Sequence, residues 1–272
     1  MKKNKIYLSL AKVSSWTGLS RIFGLIRDVV TTNLLGASVF HDIFVVTLKI
    51  PNLFRRFFAE GAFNQAFIPI YSDYQKGNDE KNTQEFINSL AGSFLSILFL
   101  FTILVLLITP IFIFIFAPGF YYDDSKRIIA IDLLRIMFPY LALISLVSFA
   151  SGIQNTHEKF SIPAFTPLIF NITLIVAAIF IAPRINLPVY ALAWGVLIAG
   201  FLQLLIHIYA LKNINRLPTP KINFSHPGQI NVLKLMIPAI LAGGIVQINL
   251  LIDTIFASLL QTGSPTWLYV SD

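Results

Sequence analysis

Two arginines and an aspartate interrupt the first long apolar stretch of this 272-residue sequence. Arg21, Arg27 and Asp28 lie within residues 20–28, whose other members are Ser, Ile, Phe, Gly and Leu. A charged side chain at the middle of a bilayer costs about 2.5–3.5 kcal/mol even on lenient insertion scales, so it faces a bundle interior or a water-filled cavity. Guanidinium groups in such a place form strong bidentate hydrogen bonds with carboxylates and phosphates. The chemistry predicted for this segment is binding of an anion.

The spacing of the charges allows a second interpretation. Arg21 and Asp28 are seven residues apart and nearly eclipse one another on a helix, with Gly18 and Gly24 on the same side and Arg27 about 120° away. They could form an intrahelical ion pair that seals a helix interface. Two arginines nevertheless exceed the charge that one aspartate can neutralise. The surplus positive charge favours an anionic ligand.

A polar stripe runs along the next apolar stretch. Its members recur every three or four residues, the spacing of one helix face, and are Lys49, Asn52, Arg56, Glu60 and Asn64. Pro51 is expected to kink this helix, and Gly61 adds a point of close packing or flexing. Lys49 could snorkel from a helix end, but residues at mid-span could not. The stripe predicts a water-filled cavity lined by the first two helices.

Asp253 is a further charged position, deep in a later apolar stretch. A buried carboxylate there could bind a cation or carry a proton, or it could be a protonated, hydrogen-bonded acid; both interpretations stay open. The four histidines, including His207 within a span, show no metal-ligand spacing, and neither a metal nor a cofactor is expected. No phosphate-cradling glycine loop, zinc motif or nucleophile elbow is present in the sequence. Any transport would draw on Na⁺ or H⁺ coupling or on the membrane potential.

The composition places these residues in a membrane. The chain is 56% hydrophobic and 12% charged, whereas soluble domains carry about 25% charged residues. Stretches long enough to cross about 30 Å of hydrocarbon are predicted at 9–36, 40–70, 86–116, 128–153, 160–182, 187–211 and 231–260, with a partial eighth from Pro265. The predicted fold class is an all-α polytopic membrane protein.

Basic residues predict the orientation of these spans. With the N-terminus inside, eleven lysines and arginines of the loops and termini fall on one side and four on the other. Cytoplasmic loops carry such an excess, so the N-terminus is predicted to be cytoplasmic. The net charge of +7 is assigned to this asymmetry, and nucleic acid is not an expected partner.

A proline-rich segment is predicted to divide the chain. Residues 217–229 hold three prolines between two hydrophobic spans. We interpret this segment as a cytoplasmic linker between an N-terminal lobe of six helices, 1–216, and the start of a C-terminal lobe, 230–272, with its first one to two helices. The second lobe is predicted to be repeat-related to the first. The sequence around Asp253 is similar to that around Asp28, and a glycine and another acid follow each.

Several motifs carry a family resemblance. They are Ser20 and Arg21 followed by Arg27 and Asp28, Gly36 and Ala37 followed by Asp42, the long run PNLFRRFFAEGAFNQAFIP at 51–69, and the segments 253–258 and 267–269. In these the chain resembles the MurJ (MviN) family, lipid II flippases of the multidrug/oligosaccharidyl-lipid/polysaccharide exporter superfamily. The resemblance runs from end to end of the chain, which corresponds to roughly the first half of a family member.

The resemblance implies a function and a set of site residues. A family member moves lipid II, a lipid-linked peptidoglycan precursor, from the inner to the outer leaflet of the bacterial cytoplasmic (inner) membrane, by alternating access of a cationic cavity between two lobes. Arg21, Arg27 and Arg55 would face the pyrophosphate of lipid II, whereas the polar stripe selects Arg56; all four are substrate-binding candidates. Supporting or gating roles are predicted for Asp28, Asp42, Lys49 and Glu60. Asp253 matches a position that resembles a sodium ligand in some relatives and is the candidate for ion coupling.

Lipid II, membrane lipids and cell-wall synthesis proteins are the partners that this interpretation implies. Two other functions are considered beside it. A cation-coupled drug antiporter of the same superfamily would need fewer arginines and a carboxylate-dominated cavity. A polytopic enzyme acting on polyprenyl-phosphate lipids would need clustered acids for a metal; the nearest candidates, Asp123 and Asp124, are predicted on the wrong side for cytoplasmic substrates.

Overall fold

The computed structural model describes residues 2–56, 61–77 and 79–271, and these ranges form helices and loops without a strand. This confirms the predicted all-α fold class. The helices are α1 (Lys2–Leu35), α2 (Val39–Arg55), α3 (Ala62–Lys76), α4 (Glu80–Leu107), α5 (Thr109–Phe116), α6 (Pro118–Tyr121), α7 (Asp124–Met137), α8 (Tyr140–Thr156), α9 (Ser161–Val176), α10 (Pro188–Asn213), α11 (Pro227–Leu259) and α12 (Ser264–Ser271). A π-helical turn, Ala177–Ile181, and a 3-10 turn, Ala182–Arg184, extend α9.

Four helical segments of the described chain are long and apolar enough to cross a membrane. They are Glu80–Leu107, Asp124–Thr156, Ser161–Arg184 and Pro188–Asn213. They correspond to the predicted spans from the third to the sixth, and the chain is a multi-pass helical membrane protein. The second of them joins α7 and α8 across Phe138 and Pro139.

The predicted second span, 40–70, is wrong as a single helix. The helix α2 continues through Pro51 and ends at Arg55, and α3 begins at Ala62 after the N-cap Gly61. The Gly61 amide donates to the carbonyl of Arg56 at 3.3 Å, five residues back, so the α-helical hydrogen-bond pattern is interrupted here and not at Pro51. The two halves differ in their main neighbour, which is α7 for α2 and α11 for α3, while both also contact α8. Tertiary packing therefore sets the position of the break.

The predicted third span, 86–116, is also divided. The helix α4 ends at Leu107, and α5 begins at Thr109 with Pro110 in its first turn. Proline lacks an amide hydrogen and is tolerated at a helix start but not in a helix interior, which accounts for the break.

A glycine follows the first helix of each predicted lobe. Gly36 follows α1 with φ +62°, and Gly263 follows α11 with φ +96°. Both lie in the left-handed region that favours glycine over residues with a Cβ atom. The first helix of each predicted lobe therefore ends in a turn with φ of the same sign, which supports the predicted repeat relationship.

The connection between α10 and α11 is docked on the helical bundle. It comprises residues 214–226, and α11 begins at Pro227 with His226 as its N-cap. The Lys221 amide donates to the carbonyl of Asn88 on α4 at 3.0 Å, and the Thr219 amide donates to the Asn88 side chain at 2.8 Å. The division of the chain into two lobes at this segment stays a prediction.

Two apolar clusters hold α2 and α3 in place. Buried residues of α2, α7, α8 and α10 form most of the first cluster, and those of α3, α4 and α8 form most of the second. In the second cluster Phe63 stacks on Phe67 and on Phe94, and Phe67 stacks on Tyr71, with ring centroids 4.9–5.4 Å apart. Aromatic packing of this kind adds about 0.5–1.5 kcal/mol per pair beyond the area buried. The walls of the cavity described next are thereby fixed.

Candidate functional site

A cavity of about 530 Å³ lies among α1, α2, α3, α8, α9, α10 and α12. Three of its lining side chains are cationic, namely Arg27, Lys49 and Arg55, and none of the described lining residues is acidic. The polar, uncharged residues of the wall are Asn52, Asn64, Tyr140, Ser148, Ser151, Thr166, Asn171, Gln203 and Tyr269. A water-accessible space with this lining attracts an anion and offers it many hydrogen-bond donors.

Arg27 is held by side chains from three helices. Its Nη2 atom is 2.7 Å from Asp28 Oδ1 and 3.2 Å from the Tyr269 hydroxyl on α12, and its Nη1 atom donates to Asn171 Oδ1 on α9 at 2.9 Å. Its guanidinium carbon lies 5.8 Å from the ring centroid of Phe170. The side chain is 20% exposed, on the cavity side. Fixing the guanidinium before a ligand arrives reduces the entropy that binding would lose.

The partner of Asp28 differs from the ion pair considered from the sequence. Helical spacing brought Arg21 beside Asp28, but in the structure Asp28 pairs with its neighbour Arg27, whose Nε and Nη2 atoms both donate to Asp28 Oδ1. Arg21 is exposed and makes no ion pair with the described residues. A long, flexible arginine side chain can bend back to the adjacent residue, which a helical projection of Cβ positions does not capture. Arg21 does not line the cavity.

Arg55 and Arg56 have different surroundings. Arg55 lines the cavity, whereas Arg56 is exposed and donates to Gln247 Oε1 on α11 at 3.3 Å. The polar stripe was phased on one continuous helix from Lys49 to Asn64. A step of three residues from Asn52 leads to Arg55 and a step of four leads to Arg56, so helical spacing alone did not separate the two arginines. Of the stripe, Lys49, Asn52 and Asn64 lie on the wall, together with Arg55.

Asp42 lies outside the cavity and connects α2 to α12. It is 2% exposed and accepts hydrogen bonds from the Gly263 amide at 2.6 Å, the Thr266 amide at 3.0 Å and the Thr266 hydroxyl at 2.6 Å. Its carboxylate therefore satisfies amides at the start of α12, where the helix dipole also favours negative charge.

Asp253 is a predicted site residue that does not join the cavity. Asp253 was expected to be buried, but it is exposed on the surface of α11 and lines no part of the cavity, because the helix turns this residue away from the bundle. Glu60 lies outside the described residues. No cluster of potential metal ligands is found in the part of the chain that the structure describes.

Sequence reasoning missed the polar residues that hold Arg27. Asn171 is 6% exposed, accepts from Arg27 and donates to the carbonyl of Ser20 on α1 at 2.9 Å, and Tyr269 contacts Arg27 and Asp28. A lone polar residue in an apolar span has to find a hydrogen-bond partner, so Asn171 in the run LIFNITLIV was a usable signal.

Comparison with known proteins identifies the family. The family model described as "Lipid II flippase MurJ" matches residues 31–272. The chain belongs to the MurJ lipid II flippase family. This confirms the resemblance inferred from the sequence motifs.

Curated relatives give the extent of the match. A probable lipid II flippase MurJ of Buchnera aphidicola subsp. Acyrthosiphon pisum is 44% identical over 97% of this chain and 52% of its own length. The lipid II flippase MurJ of Burkholderia cenocepacia is 37% identical over 98% of this chain and 52% of its own length. This MurJ-family chain thus spans about half the length of the curated relatives it matches.

A solved structure shares the fold. A lipid II flippase MurJ in an inward closed conformation superimposes with a TM-score of 0.80 and 30% identity over 95% of this chain and 53% of that one. The relatives are named as flippases, which are transporters and not polytopic enzymes.

Proposed function

We propose that this chain forms one half of a flippase that moves lipid II from the inner to the outer leaflet of the bacterial cytoplasmic membrane. The observation that carries the proposal is the cavity with three cations and no described acid on its wall. A pyrophosphate is a compact anion rich in acceptor oxygens. Arginine and lysine bind phosphate oxygens through charge-assisted hydrogen bonds, which strengthen in a low-dielectric site. We assign this role to Arg27 and Arg55, with Lys49 beside them.

The polar headgroup and the apolar tail of lipid II require different surroundings during translocation. Its headgroup would enter the cavity, while the apolar polyprenyl tail stays in the bilayer, since burying the tail in a cationic cavity would expose it to water. Membrane lipids are therefore partners along the whole path. The N-terminus would lie in the cytoplasm, in agreement with the excess of basic residues on that side.

Movement of the two lobes would expose the cavity to either side. Three side-chain contacts between the first six spans and α11–α12 would open and close in such a cycle. They join Asp42 to Thr266, Arg56 to Gln247 and Tyr269 to Arg27. Alternating rocking of one bundle against another is a common transport scheme. A gating role for Asp42 belongs to this proposal.

A drug antiporter fits the cavity less well. Such a protein would bind cations and need carboxylates on the cavity wall, whereas the described wall has cations and neutral polar groups. Drug efflux from cells that carry the full-length protein would separate the two functions.

The test uses cells depleted of their own flippase that carry this protein at its full native length. The measured quantity is the fraction of lipid II reached by a degrading enzyme added outside. Arg27→Gln is expected to reduce that fraction by roughly tenfold or more, because one charge-assisted hydrogen bond contributes about 1.5–3 kcal/mol. Arg184→Gln, at an exposed arginine of the 3-10 turn, is the matched control and should leave the fraction unchanged.

Two results would contradict the proposal. The first is full accessibility of lipid II with Arg27→Gln at normal protein abundance in the membrane. The second is accessible lipid II in depleted cells that carry no flippase, because this protein would then move another substrate.

A further inference from the structure

His207 of α10 joins three membrane spans through hydrogen bonds. The side chain is fully buried, with 0% exposure. Its Nε2 atom lies 2.7 Å from the Thr166 hydroxyl on α9, and its Nδ1 atom lies 2.6 Å from Gln154 Nε2 on α8. Gln203, one turn before His207 on α10, donates to the carbonyl of Thr166 at 3.0 Å. Both ring nitrogens therefore have partners on other helices.

This chain of hydrogen bonds connects two cavities. Thr166 and Gln203 line the central cationic cavity. Gln154 lines a second cavity of about 400 Å³ near the end of the bundle where α1 begins, together with Lys12, Glu158, Lys159, Ser161 and Asn213. The Oε1 atoms of Gln203 and Gln154 have no hydrogen-bond partner among the described residues, although the two residues are only 2% and 1% exposed. A buried acceptor without a partner thus belongs to the cavity-lining glutamine at each end of the chain of bonds.

The hydrogen-bond donors fix which ring nitrogen carries the proton. The Gln154 amide nitrogen also donates to the carbonyl of Ala150 at 3.2 Å, so it acts as a donor and His207 Nδ1 accepts. Nε2 then carries the hydrogen and donates to Thr166, whose hydroxyl donates to the carbonyl of Ile162 at 2.8 Å. The neutral imidazole is fully satisfied in this arrangement.

Adding a proton to His207 requires a rearrangement. A hydrogen on Nδ1 would point at the amide hydrogens of Gln154, and two donors repel each other. The contact becomes a hydrogen bond again only if the Gln154 amide group rotates by about 180° and presents Oε1 as the acceptor. A hydronium ion in the second cavity would supply the proton: one of its O–H bonds breaks, an N–H bond forms at Nδ1, and a water molecule is left. Proton uptake is therefore linked to the contact between α8 and α10.

The charges around His207 couple binding of this proton to binding of the anionic substrate. The side chains of α8 and α9 that contact the ring are uncharged, whereas Lys12, Glu158 and Lys159 line the second cavity and three cations line the central one. Positive charges nearby disfavour a further positive charge on the ring, and an anion bound in the central cavity would offset them. Binding of the anion and binding of the proton then favour each other, and this linkage is reciprocal.

We propose that His207 is a proton-binding site between the two cavities, through which proton uptake is coupled to lipid II binding and translocation. The inference rests on the proposed flippase function and assigns the proton as the ion coupled to translocation. It assigns no role to Asp253.

The test uses the full-length protein in liposomes that contain lipid II and a pH-sensitive dye in the lumen. His207→Asn keeps a hydrogen-bonding side chain but cannot titrate, and His207→Gln is a second variant of the same kind. Wild type should translocate lipid II faster with one direction of the pH gradient than with the other, by roughly tenfold, a typical coupling ratio. Both variants should translocate at the same rate in either gradient and give no proton signal. His157→Gln, at a half-buried histidine near the end of α8, should behave as wild type.

A binding measurement covers variants that no longer translocate. Isothermal titration calorimetry in detergent measures the heat of lipid II binding. Repeating the titration in buffers of different ionisation enthalpy gives the number of protons that the protein takes up when the lipid binds. Proton uptake is expected for wild type and none for His207→Asn. Equal uptake by both proteins would overturn the proton-binding site. A wild-type protein that translocates no lipid II in any gradient would contradict the flippase function, whereas translocation that ignores the gradient would contradict the proton site alone.

Discussion

Arg27 and Arg56 show how the surroundings of an arginine separate two roles. Arg27 is confined by Asp28, Asn171 and Tyr269 and faces the cavity. Arg56 reaches α11 through one hydrogen bond to Gln247 and is otherwise exposed. A guanidinium fixed within a cavity wall can bind an anion with little loss of rotamer freedom, while an exposed one contributes little to binding.

The neighbouring pair Arg55 and Arg56 allows a matched test at this scale. Arg55→Gln is expected to reduce lipid II translocation by the full-length protein by roughly tenfold or more, because a charge-assisted contact of about 1.5–3 kcal/mol is lost. Arg56→Gln should change translocation by less than about threefold, because this exposed group loses only its single 3.3 Å hydrogen bond with Gln247. The accessible fraction of lipid II in depleted cells is the measurement. Equal losses for the two variants would show that a position on the cavity wall does not distinguish the two arginines.

Individual helices are positioned by close backbone contacts as well as by apolar packing. The short helix α6 lies directly against the end of α11, where the Gly119 amide donates to the Ser258 hydroxyl at 3.3 Å. A Cβ atom built on Gly119 would overlap the backbone oxygen of Ser258. No flexible side chain can move aside there, so only glycine permits this approach.

Gly119→Ala is therefore expected to lower stability. Separating two backbones costs about 1–3 kcal/mol, as for other overpacked sites. Gly18→Ala is the matched control, since nothing lies within 4 Å of its Cβ position on α1 and alanine favours a helix over glycine by about 0.5–1 kcal/mol. Thermal unfolding in detergent should give a lower midpoint for Gly119→Ala and an unchanged or higher one for Gly18→Ala. An unchanged midpoint for Gly119→Ala would refute the close contact between α6 and α11.

At the scale of the whole molecule, the connection between α10 and α11 determines how the last two helices meet the first ten. This connection, residues 214–226, is proline-rich, yet it is fastened to α4. Asn88 accepts from Thr219 and from Gln84 through its side chain and from Lys221 through its carbonyl. Proline reduces the freedom of the unfolded segment, and the hydrogen bonds fix its path in the folded state. The segment predicted to be a linker is therefore held against α4 by hydrogen bonds.

Limited digestion with trypsin tests this docking. Asn88→Ala removes the acceptor of the Thr219 amide, and losing a hydrogen bond that contributes about 0.5–1.5 kcal/mol predicts roughly threefold to tenfold faster cleavage after Arg216 and Lys221. Asn82→Ala, at an exposed asparagine of the same helix, should leave the cleavage rate unchanged. Identical rates for both variants would mean that Asn88 does not hold the connection.

The sequence by itself determined the membrane class, the helical fold, the presence of a cationic site and the family. Each of these follows from local properties: long apolar runs, charges that a bilayer excludes, and one long specific motif at 51–69. The position of the break within the second span and the choice of Arg55 over Arg56 depended on the tertiary structure. The same is true of the partner of Asp28, the side chains around Arg27 and the bridge at His207. These features depend on residues far apart in the chain, such as Arg27 and Tyr269, which are 242 positions apart. Helical periodicity gives the direction of a side chain on its own helix, but only the packing of the helices decides which neighbour it meets.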